Sequence, residues 1–223
     1  SVRQTERREV RLTKAEDELL REELADRGLT FAGWVREQLG ALAEERARRK
    51  RIDAFERLMR LAQEGAQPWP DDDDDPATRA VREAIDAGAE DMMRVDEGVF
   101  IDANVVLYAA GAAHRYKAPC EAVLAVVARE PSPCFTSTEV LQEVLNVYIR
   151  RGDRVRATAA IAAMRELLGP KIVSVLPGDV YAAAANQQPG LQARDLVHLA
   201  TMARLGLTRI ISTDRAFDGV AGI

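Results

Sequence analysis

Residues 97–223 predict an α/β domain in which a doubly wound, parallel β-sheet is flanked by helices. Short apolar segments suited to buried strands alternate there with longer segments of helical periodicity. Parallel strands need long crossover connections, and the intervening helical segments are long enough to supply them. Acidic residues follow the first and last apolar segments, at the sheet edge where such domains form their sites. The residues before 97 predict a small separate module and a linker.

Four short apolar segments are expected to form the strands, at residues 99–101, 134–136, 172–175 and 209–212. Six segments with apolar residues at helical spacing are expected to form the helices, at residues 105–110, 118–128, 138–149, 155–168, 180–185 and 195–205. Because the two types alternate, the strands are expected to be parallel and joined by right-handed crossovers.

The first 62 residues predict one strand followed by two helices. Val10 and Leu12 alternate with polar residues, and Thr13 with Glu16 has the pattern of a capping box at the start of a helix. A second helix is expected to follow Thr30 and to continue to about residue 63. Its second half carries an apolar stripe that needs a packing partner, formed by Ile52, Phe55, Leu58 and Met59. Because so small a unit buries little surface alone, a homodimer or higher oligomer is expected, in which a second copy supplies the partner strand.

An acidic linker separates the two predicted folded parts. Residues 61–98 hold 3 Lys and Arg against 12 Asp and Glu, with an unbroken aspartate run at 71–75. Like charges flanked by prolines favour an extended chain and disfavour independent folding. We therefore expect a dimerisation module over 1–62, a linker over 63–96 and an α/β domain over 97–223.

Nothing in the sequence suggests a membrane protein. No apolar run approaches the roughly 18 residues needed to cross a bilayer, and the charged N-terminal residues do not resemble a leader. A cytoplasmic location without a membrane partner is therefore expected. Cys120 and Cys134, the two cysteines, have no paired-motif spacing and are expected to be free thiols in a reducing compartment.

Four acidic residues from distant parts of the sequence are expected to meet at one edge of the sheet. Asp102 follows the first strand, Asp214 follows the last, Glu143 lies in the helix after the second strand, and Asp195 opens a helix. Packed carboxylates repel one another unless a hard divalent cation such as Mg²⁺ or Mn²⁺ binds between them. The chemistry this predicts is phosphodiester hydrolysis with two ions about 3.5–4 Å apart.

Other residues near these acids have competing interpretations. Asn104 and Thr213 are expected to orient the ligands or a water. Spacing alone does not separate Glu139 from Glu143, because they lie one helical turn apart on the same face. Asp218 is expected in an exposed turn and His114 in a loop. His198 lies three residues after Asp195, a spacing that a metal pair also shows, but it is expected to be a packed helix residue because the site favours oxygen ligands.

Four motifs give the second half of the chain a resemblance to a known family. They are Val99-Phe100-Ile101-Asp102-Ala103-Asn104, the stretch 136–145, the stretch 193–200 and the stretch 211–218. In this order they resemble a PIN domain of the VapC toxin type. The resemblance implies an Mg²⁺- or Mn²⁺-dependent endoribonuclease acting on structured RNA, commonly tRNA or ribosomal RNA. It also selects Glu143 over Glu139. Because the family usually continues beyond Gly222-Ile223 into a last strand, a missing or trimmed final strand is expected here.

The first 40 residues resemble a ribbon-helix-helix antitoxin of the VapB type, through the stretches 8–13 and 28–37. The resemblance implies a dimer whose two-stranded ribbon enters the major groove of operator DNA. With Val10 and Leu12 facing the core, the outward residues Arg11, Arg7 and Thr13 are the expected DNA contacts. The alternative is a plain dimerisation module whose outward charges only keep the ribbon solvated.

Together these parts predict an antitoxin and its toxin in one chain, self-inhibited and autoregulatory. The linker occupies the position of a neutralising tail, and Arg79, Arg82 or Arg94 is expected to pair with the acids and displace the metal. The alternatives are a plain linker, a DNA-binding transcriptional regulator with an inactive PIN-like scaffold, and a phosphatase of the haloacid-dehalogenase type. The phosphatase is disfavoured because Asn104 stands where its second Asp is needed. The sequence does not show whether the linker inhibits its own chain or a partner chain. A natural fusion and an engineered one also look alike at this level.

Overall fold

A computed structural model of the chain describes residues 9–63, 98–131 and 133–223. The chain divides into two compact units that meet between Ala47 and Arg48, inside a helix. The domain limits expected at residues 62 and 96 rest on sequence and stay predictions.

The N-terminal unit contains helix α1 (Lys14–Asp26) and the first half of helix α2 (Phe31–Gln63). Thr13 begins α1 with the expected capping box, in which its backbone N–H donates to Glu16 over 2.7 Å. Thr30 accepts a hydrogen bond from the backbone N–H of Gly33 at the start of α2. Residues 9–13 form no strand in the single chain. The expected strand needs the backbone hydrogen bonds of a second strand, and the described residues of the N-terminal unit contain none.

The C-terminal unit is built on a four-stranded parallel sheet. Its strands are β1 (Val99–Ile101), β2 (Cys134–Ser137), β3 (Ile172–Val173) and β4 (Ile210–Ile211), in the spatial order β3-β2-β1-β4. The chain therefore moves outward from β1 to β3 and then crosses to the other side of β1. The point where the strand order reverses, beside β1, is where sheets of this type open a crevice.

Six helices connect and flank these strands among the described residues. They are α3 (Ala103–Ala110), α4 (Lys117–Arg129), α5 (Thr138–Arg150), α6 (Arg154–Leu168), α7 (Pro177–Ala185) and α8 (Ala193–Leu205). Short 3₁₀ helices cover Gly169–Lys171 and Arg215–Phe217. The expected parallel α/β arrangement is confirmed, and the elements differ from the sequence-based segments only at their ends.

The second half of α2 belongs to the core of the C-terminal unit. Ala54 and Leu58 are buried, and Ile52, Phe55 and Met59 pack against the same core. Arg51 donates to the backbone carbonyl of Ala128, and Arg156 donates to that of Leu61 over 2.7 Å. The second bond satisfies a carbonyl of the last turn of the helix, which has no partner within the helix itself. The apolar stripe that needed a partner therefore finds it in the α/β domain.

Both cysteines are buried and free, as the sequence predicted. Burial raises the pKa of Cys120 and of Cys134 to about 12, so each stays a neutral thiol at physiological pH. No helix in the described ranges combines the length and the apolar composition that crossing a membrane requires.

Candidate metal-binding active site

Asp102 lies at the centre of the site because it joins the first strand to the helix that follows. Its backbone N–H still pairs with the carbonyl of Ile211 on β4, while its side chain caps α3 and accepts from the backbone N–H of Ala103 over 2.7 Å. The side chain also accepts from Asn104 Nδ2 over 3.2 Å and from Ser212 Oγ over 2.5 Å. Only 4 % of Asp102 is exposed to solvent.

The environment of Asp102 disfavours its negative charge. Burial raises the pKa of this carboxyl above its ordinary value, and the neighbouring carboxylate of Glu143 raises it further. The hydrogen bond from Ser212 and the nearby His198 ring act in the opposite direction without reversing the net shift. A cation bound beside Asp102 would therefore stabilise the ionised form that burial penalises.

Glu143 reaches the same point from α5. Ser137 begins that helix by accepting from the backbone N–H of Val140, and Val140 and Val144 bury one face against the core. The Glu143 side chain is 18 % exposed and forms an ion pair with Arg194, in which Nη1 lies 2.7 Å from Oε1. The structure thus places Glu143 in the cluster. Glu139, one turn earlier, is not part of the cluster that Glu143 forms with Asp102 and His198.

A histidine completes the closest group of potential ligands. Nε2 of His198 lies 4.0 Å from Oδ1 of Asp102 and 3.8 Å from Oε2 of Glu143. One ligand atom from each of these three residues lies within 4.8 Å of the other two. His198 is 1 % exposed and its ring tilts against Phe100, so the expectation of a packed helix residue is right about its burial. That expectation missed the two carboxylates that its ring faces.

Asp195 and Asp214 lie at the margin of this group. Asp195 is partly buried in the first turn of α8 and accepts from the backbone N–H of Gln192 over 2.7 Å. Burial raises the pKa of Asp195, and the charges of Asp214 and Glu143 raise it further. Asp214 is exposed and accepts from the backbone N–H of Ala216. Asp195 is therefore close enough to the other acids to be affected by their charges. The group formed by Asp102, Glu143 and His198 contains neither Asp195 nor Asp214.

Hydrogen bonds from Asn104 and Ser212 hold the acids in place. Asn104 donates to Asp102, as expected. Thr213 is buried, but it is Ser212 whose hydroxyl donates to Asp102 and accepts from the backbone N–H of Asp214 over 2.9 Å. Sequence reasoning missed Ser212 and Arg194. Their sequence positions could have indicated them, because Arg194 directly precedes Asp195 and Ser212 lies two residues before Asp214.

An ion pair anchors α8, the helix that carries Asp195 and His198. Arg204 near its end donates from Nε to Oδ1 of Asp179 over 2.7 Å and from Nη2 to Oδ2 over 2.9 Å. Asp179 is buried on α7, and Arg204 also donates to the carbonyl of Ser174. This two-pronged contact fixes the position of α8 relative to the sheet edge.

The donor atoms of this site suit a divalent cation. Two carboxylates and an imidazole converge. Burial raises the pKa of Asp102, the less exposed of the two carboxyl groups. In the ranges that the structure describes, the one cationic side chain shown paired with a member of this group is Arg194. Carboxylate oxygens are preferred ligands of Mg²⁺ and Mn²⁺, and imidazole is accepted by Mn²⁺ more readily than by Mg²⁺. The site therefore fits a metal of this class.

The residues expected to bind DNA or to inhibit the site are described only in part. Arg11 is exposed in the N-terminal unit, and the Thr13 hydroxyl donates to Glu16 over 2.8 Å. Arg7, Arg79, Arg82 and Arg94 lie outside the described residues. The pairing expected of the linker arginines therefore stays a prediction. Arg194 of the α/β domain pairs with Glu143.

Comparison with known proteins covers the C-terminal unit. Residues 99–223 match the family model of the PIN domain. The chain is 36 % identical over 118 residues to Ribonuclease VapC23 of Mycobacterium tuberculosis, which spans 52 % of this chain and 92 % of the relative. It is 31 % identical over 131 residues to Ribonuclease VapC7 of the same organism, spanning 56 % of this chain and 88 % of that protein. A crystal structure of Mycobacterium tuberculosis VapC20, described as a sarcin-ricin loop cleaving toxin, is 21 % identical with a TM-score of 0.44. That comparison covers 56 % of this chain and 98 % of VapC20.

Proposed function

Because this chain belongs to the PIN domain family, we propose that its C-terminal unit is a divalent-metal-dependent endoribonuclease of the VapC toxin type. The observation that carries the proposal is the convergence of Asp102 and Glu143, from different elements, at the point where the strand order reverses. The relatives named as ribonucleases align with the part of the chain that contains this site. We extend the metal to Mg²⁺ or Mn²⁺ and the substrate to structured RNA such as tRNA or ribosomal RNA.

Asp102 and Glu143 would hold the metal, with Asp195 and Asp214 completing a wider acidic set. When bound, the metal would polarise a phosphodiester and lower the pKa of a water. Ser212 and Asn104 fix the Asp102 carboxylate in one orientation through their hydrogen bonds. Burial raises the pKa of Asp195, and in this proposal Asp195 would accept a proton from the attacking water. Arg194 pairs with Glu143 and is partly exposed, and in this proposal it would exchange that partner for a phosphate of the RNA.

Cleavage of total cellular RNA in the presence of Mn²⁺ or Mg²⁺ tests this function. Asp102→Asn keeps the shape of the side chain but removes its charge, so we expect hydrolysis to fall by about 10²-fold or more. The matched control is Asp218→Asn, because Asp218 is also an acid after β4 but is exposed and lies 4.0 Å from Arg215. Equal activity of the two variants would overturn the assignment of the site.

We propose that the N-terminal unit is a ribbon-helix-helix antitoxin module that dimerises and binds operator DNA. The support is an uncovered apolar surface around a groove of about 810 Å³, lined in part by Val10, Leu12, Leu19 and Phe31. Val10 is 73 % exposed and Leu19 is 69 % exposed. A second copy of the chain would cover this surface and pair its residues 9–13 as a ribbon. Arg11, Arg7 and Thr13 would then face the DNA.

DNA binding is tested by gel-shift titration of the chain's own upstream DNA. Arg11→Ala is expected to weaken binding about tenfold through a lost base or phosphate contact, while RNA cleavage stays unchanged. Lys14→Ala serves as the control, because Lys14 pairs with Glu18 on the exposed surface of α1. Unchanged DNA affinity in the Arg11 variant would contradict the ribbon assignment and favour a plain dimerisation module.

We further propose that the linker inhibits the nuclease, and that the protein is cytoplasmic and autoregulatory. Arg79, Arg82 and Arg94 would supply the inhibiting charge, because an arginine on the acids competes with the metal. Changing all three to alanine is expected to raise RNA cleavage by the full chain, and adding Asp102→Asn is expected to abolish it again. Unchanged cleavage would make residues 63–96 a plain linker. Absence of cleavage in every variant would instead favour a DNA-binding regulator with an inactive scaffold.

A further inference from the structure

His198 is a buried imidazole whose two nitrogens lack hydrogen bonds. Its side chain is 1 % exposed, and neither Nδ1 nor Nε2 has a hydrogen-bond partner within the described parts of the chain. Leaving a buried polar atom without a partner costs about 1–3 kcal/mol. A ring kept at such a cost in an otherwise well-packed unit points to a ligand that the protein alone does not supply.

The open nitrogen faces the acids rather than the core. Nε2 lies 3.8 Å from Glu143 Oε2 and 4.0 Å from Asp102 Oδ1, which is too far for a hydrogen bond. Ligands about 2.1 Å from an octahedral ion lie roughly 3–4.2 Å from one another. The shorter value belongs to neighbouring ligands and the longer one to opposite ligands, so a shift of about 1 Å in each side chain would let one ion contact all three residues.

The surrounding groups leave this position open to a cation. Arg194 pairs with Oε1 of Glu143, while Oε2 is the oxygen that faces His198. Phe100 on β1 packs against the other side of the ring, with centroids 5.5 Å apart. Asp195, one turn earlier on α8, adds a further negative charge near the ring. The imidazole is therefore held between an apolar wall and three carboxylates.

We propose that His198 Nε2 is a nitrogen ligand of the site, so that the metal is held by a mixed set of two carboxylates and one imidazole. The proposal rests on the metal site of the proposed function and names its selectivity. Imidazole is a ligand of first-row transition ions, and Mn²⁺ is the one of these that shares with Mg²⁺ the preference for carboxylate oxygens. The site thus selects Mn²⁺ over Mg²⁺. Nε2 offers a lone pair only in the neutral ring, which then carries its proton on Nδ1.

Pulsed electron paramagnetic resonance of bound Mn²⁺ tests the ligand directly. The chain has two histidines, so a tag-free full chain carrying His114→Asn retains His198 as its single imidazole. His114 stacks on Tyr108 in a separate aromatic cluster. With ¹⁵N-labelled histidine, we expect the nitrogen coupling of bound Mn²⁺ to change from the ¹⁴N to the ¹⁵N pattern. Bound Mn²⁺ without any histidine coupling would overturn the proposal, and so would a chain that binds no Mn²⁺.

Metal affinity of a His198→Gln variant provides a second readout, measured with Mn²⁺ alone and by competition with Mg²⁺. Glutamine offers an oxygen at a similar reach, so we expect Mn²⁺ affinity to fall about tenfold while Mg²⁺ affinity changes less than about threefold. His114→Gln is the matched control and is expected to change neither. An equal loss for both ions would overturn the selectivity. If the variant fails to fold by circular dichroism, the labelled His114→Asn chain still decides the question.

Neither measurement uses RNA cleavage. A chain with histidine coupling that cuts no RNA would support the mixed ligand set and contradict the proposed nuclease function. A chain that cuts RNA while its Mn²⁺ shows no nitrogen coupling would support the nuclease and overturn the role of His198. Failure of the inference and failure of the proposed function are therefore distinguishable.

Discussion

The two halves of helix α2 differ in what surrounds them, although they form one continuous helix. From residue 31 to residue 47 no side chain is buried, and Leu39 and Leu42 are 59 % and 64 % exposed. From residue 48 onward Ala54, Leu58 and Ala62 are buried in the core of the C-terminal unit. Apolar side chains at helical spacing are therefore buried in the second half of α2 and exposed or only half-buried in the first. The C-terminal unit buries its own core, whereas the described residues of the N-terminal unit leave their apolar side chains exposed or only half-buried.

The largest expected effect on stability comes from removing a buried side chain in the second half of α2. Leu58→Ala leaves a cavity between α2 and the α/β core, so the free energy of unfolding should fall by about 2–4 kcal/mol. Urea denaturation followed by circular dichroism measures it. Leu42→Ala on the same helix should cost under about 0.5 kcal/mol. Similar losses for the two variants would break the comparison between the halves.

Association of the N-terminal unit gives the next effect. Leu12→Glu places a charge on the surface that we propose a second copy covers, so the dimer dissociation constant should rise about 100-fold or more. Sedimentation equilibrium of the full chain checks it. Val155→Glu is the control, because Val155 is 74 % exposed in the C-terminal unit and should leave the association unchanged. A monomer in both the wild type and the variant would leave the N-terminal unit without the proposed partner.

The ion pairs of the two units should also differ in value. Arg204→Ala removes the partner of buried Asp179 and should cost about 2 kcal/mol at pH 7, whereas Arg27→Ala breaks an exposed, solvent-screened pair with Glu37 and should cost clearly less. The hydrogen bonds and charge of Arg204 hold the pKa of Asp179 below its ordinary value of 3.8.

The sign of the pH dependence follows from that lowered pKa. The ion pair contributes its full stability above pH 3.8 and loses it as the pH falls through the lower pKa of the folded protein. The difference in unfolding free energy between wild type and Arg204→Ala should therefore shrink in acid. A difference that grows below pH 3.8 would show that the pair does not act through its charges.

The smallest expected effect is on Mn²⁺ affinity, which Arg194 should lower by pairing with Glu143. Arg194 competes with a metal for Glu143, so Arg194→Ala should tighten Mn²⁺ binding about three- to tenfold at low salt. Arg165→Ala removes the same charge from an exposed position beside Glu166 and should change the affinity less than twofold. Weaker Mn²⁺ binding in the Arg194 variant would show that the arginine supports the site instead of competing for it.

Much of the C-terminal unit was predictable because its information is local. Strand segments such as 99–101 are apolar on both faces, and helix α5 begins at a capping serine and buries every fourth residue. The position of Asp102 was predictable because parallel strands end at one edge, whereas the family resemblance was needed to select Glu143 over Glu139. Ser212, Arg194 and the orientation of His198 were not, because each depends on a side-chain contact across elements distant in sequence.

The sequence by itself determined the order of strands and helices, the parallel sheet and the acids at its edge. Periodicity and capping act over a few residues, so they can be read without knowing what lies opposite. Only the tertiary structure decided that α2 belongs to two units, that Arg194 pairs with Glu143, and that the ring of His198 turns toward the carboxylates. Burial and charge pairing depend on which distant side chains lie within a few ångströms, and that distance is set by packing.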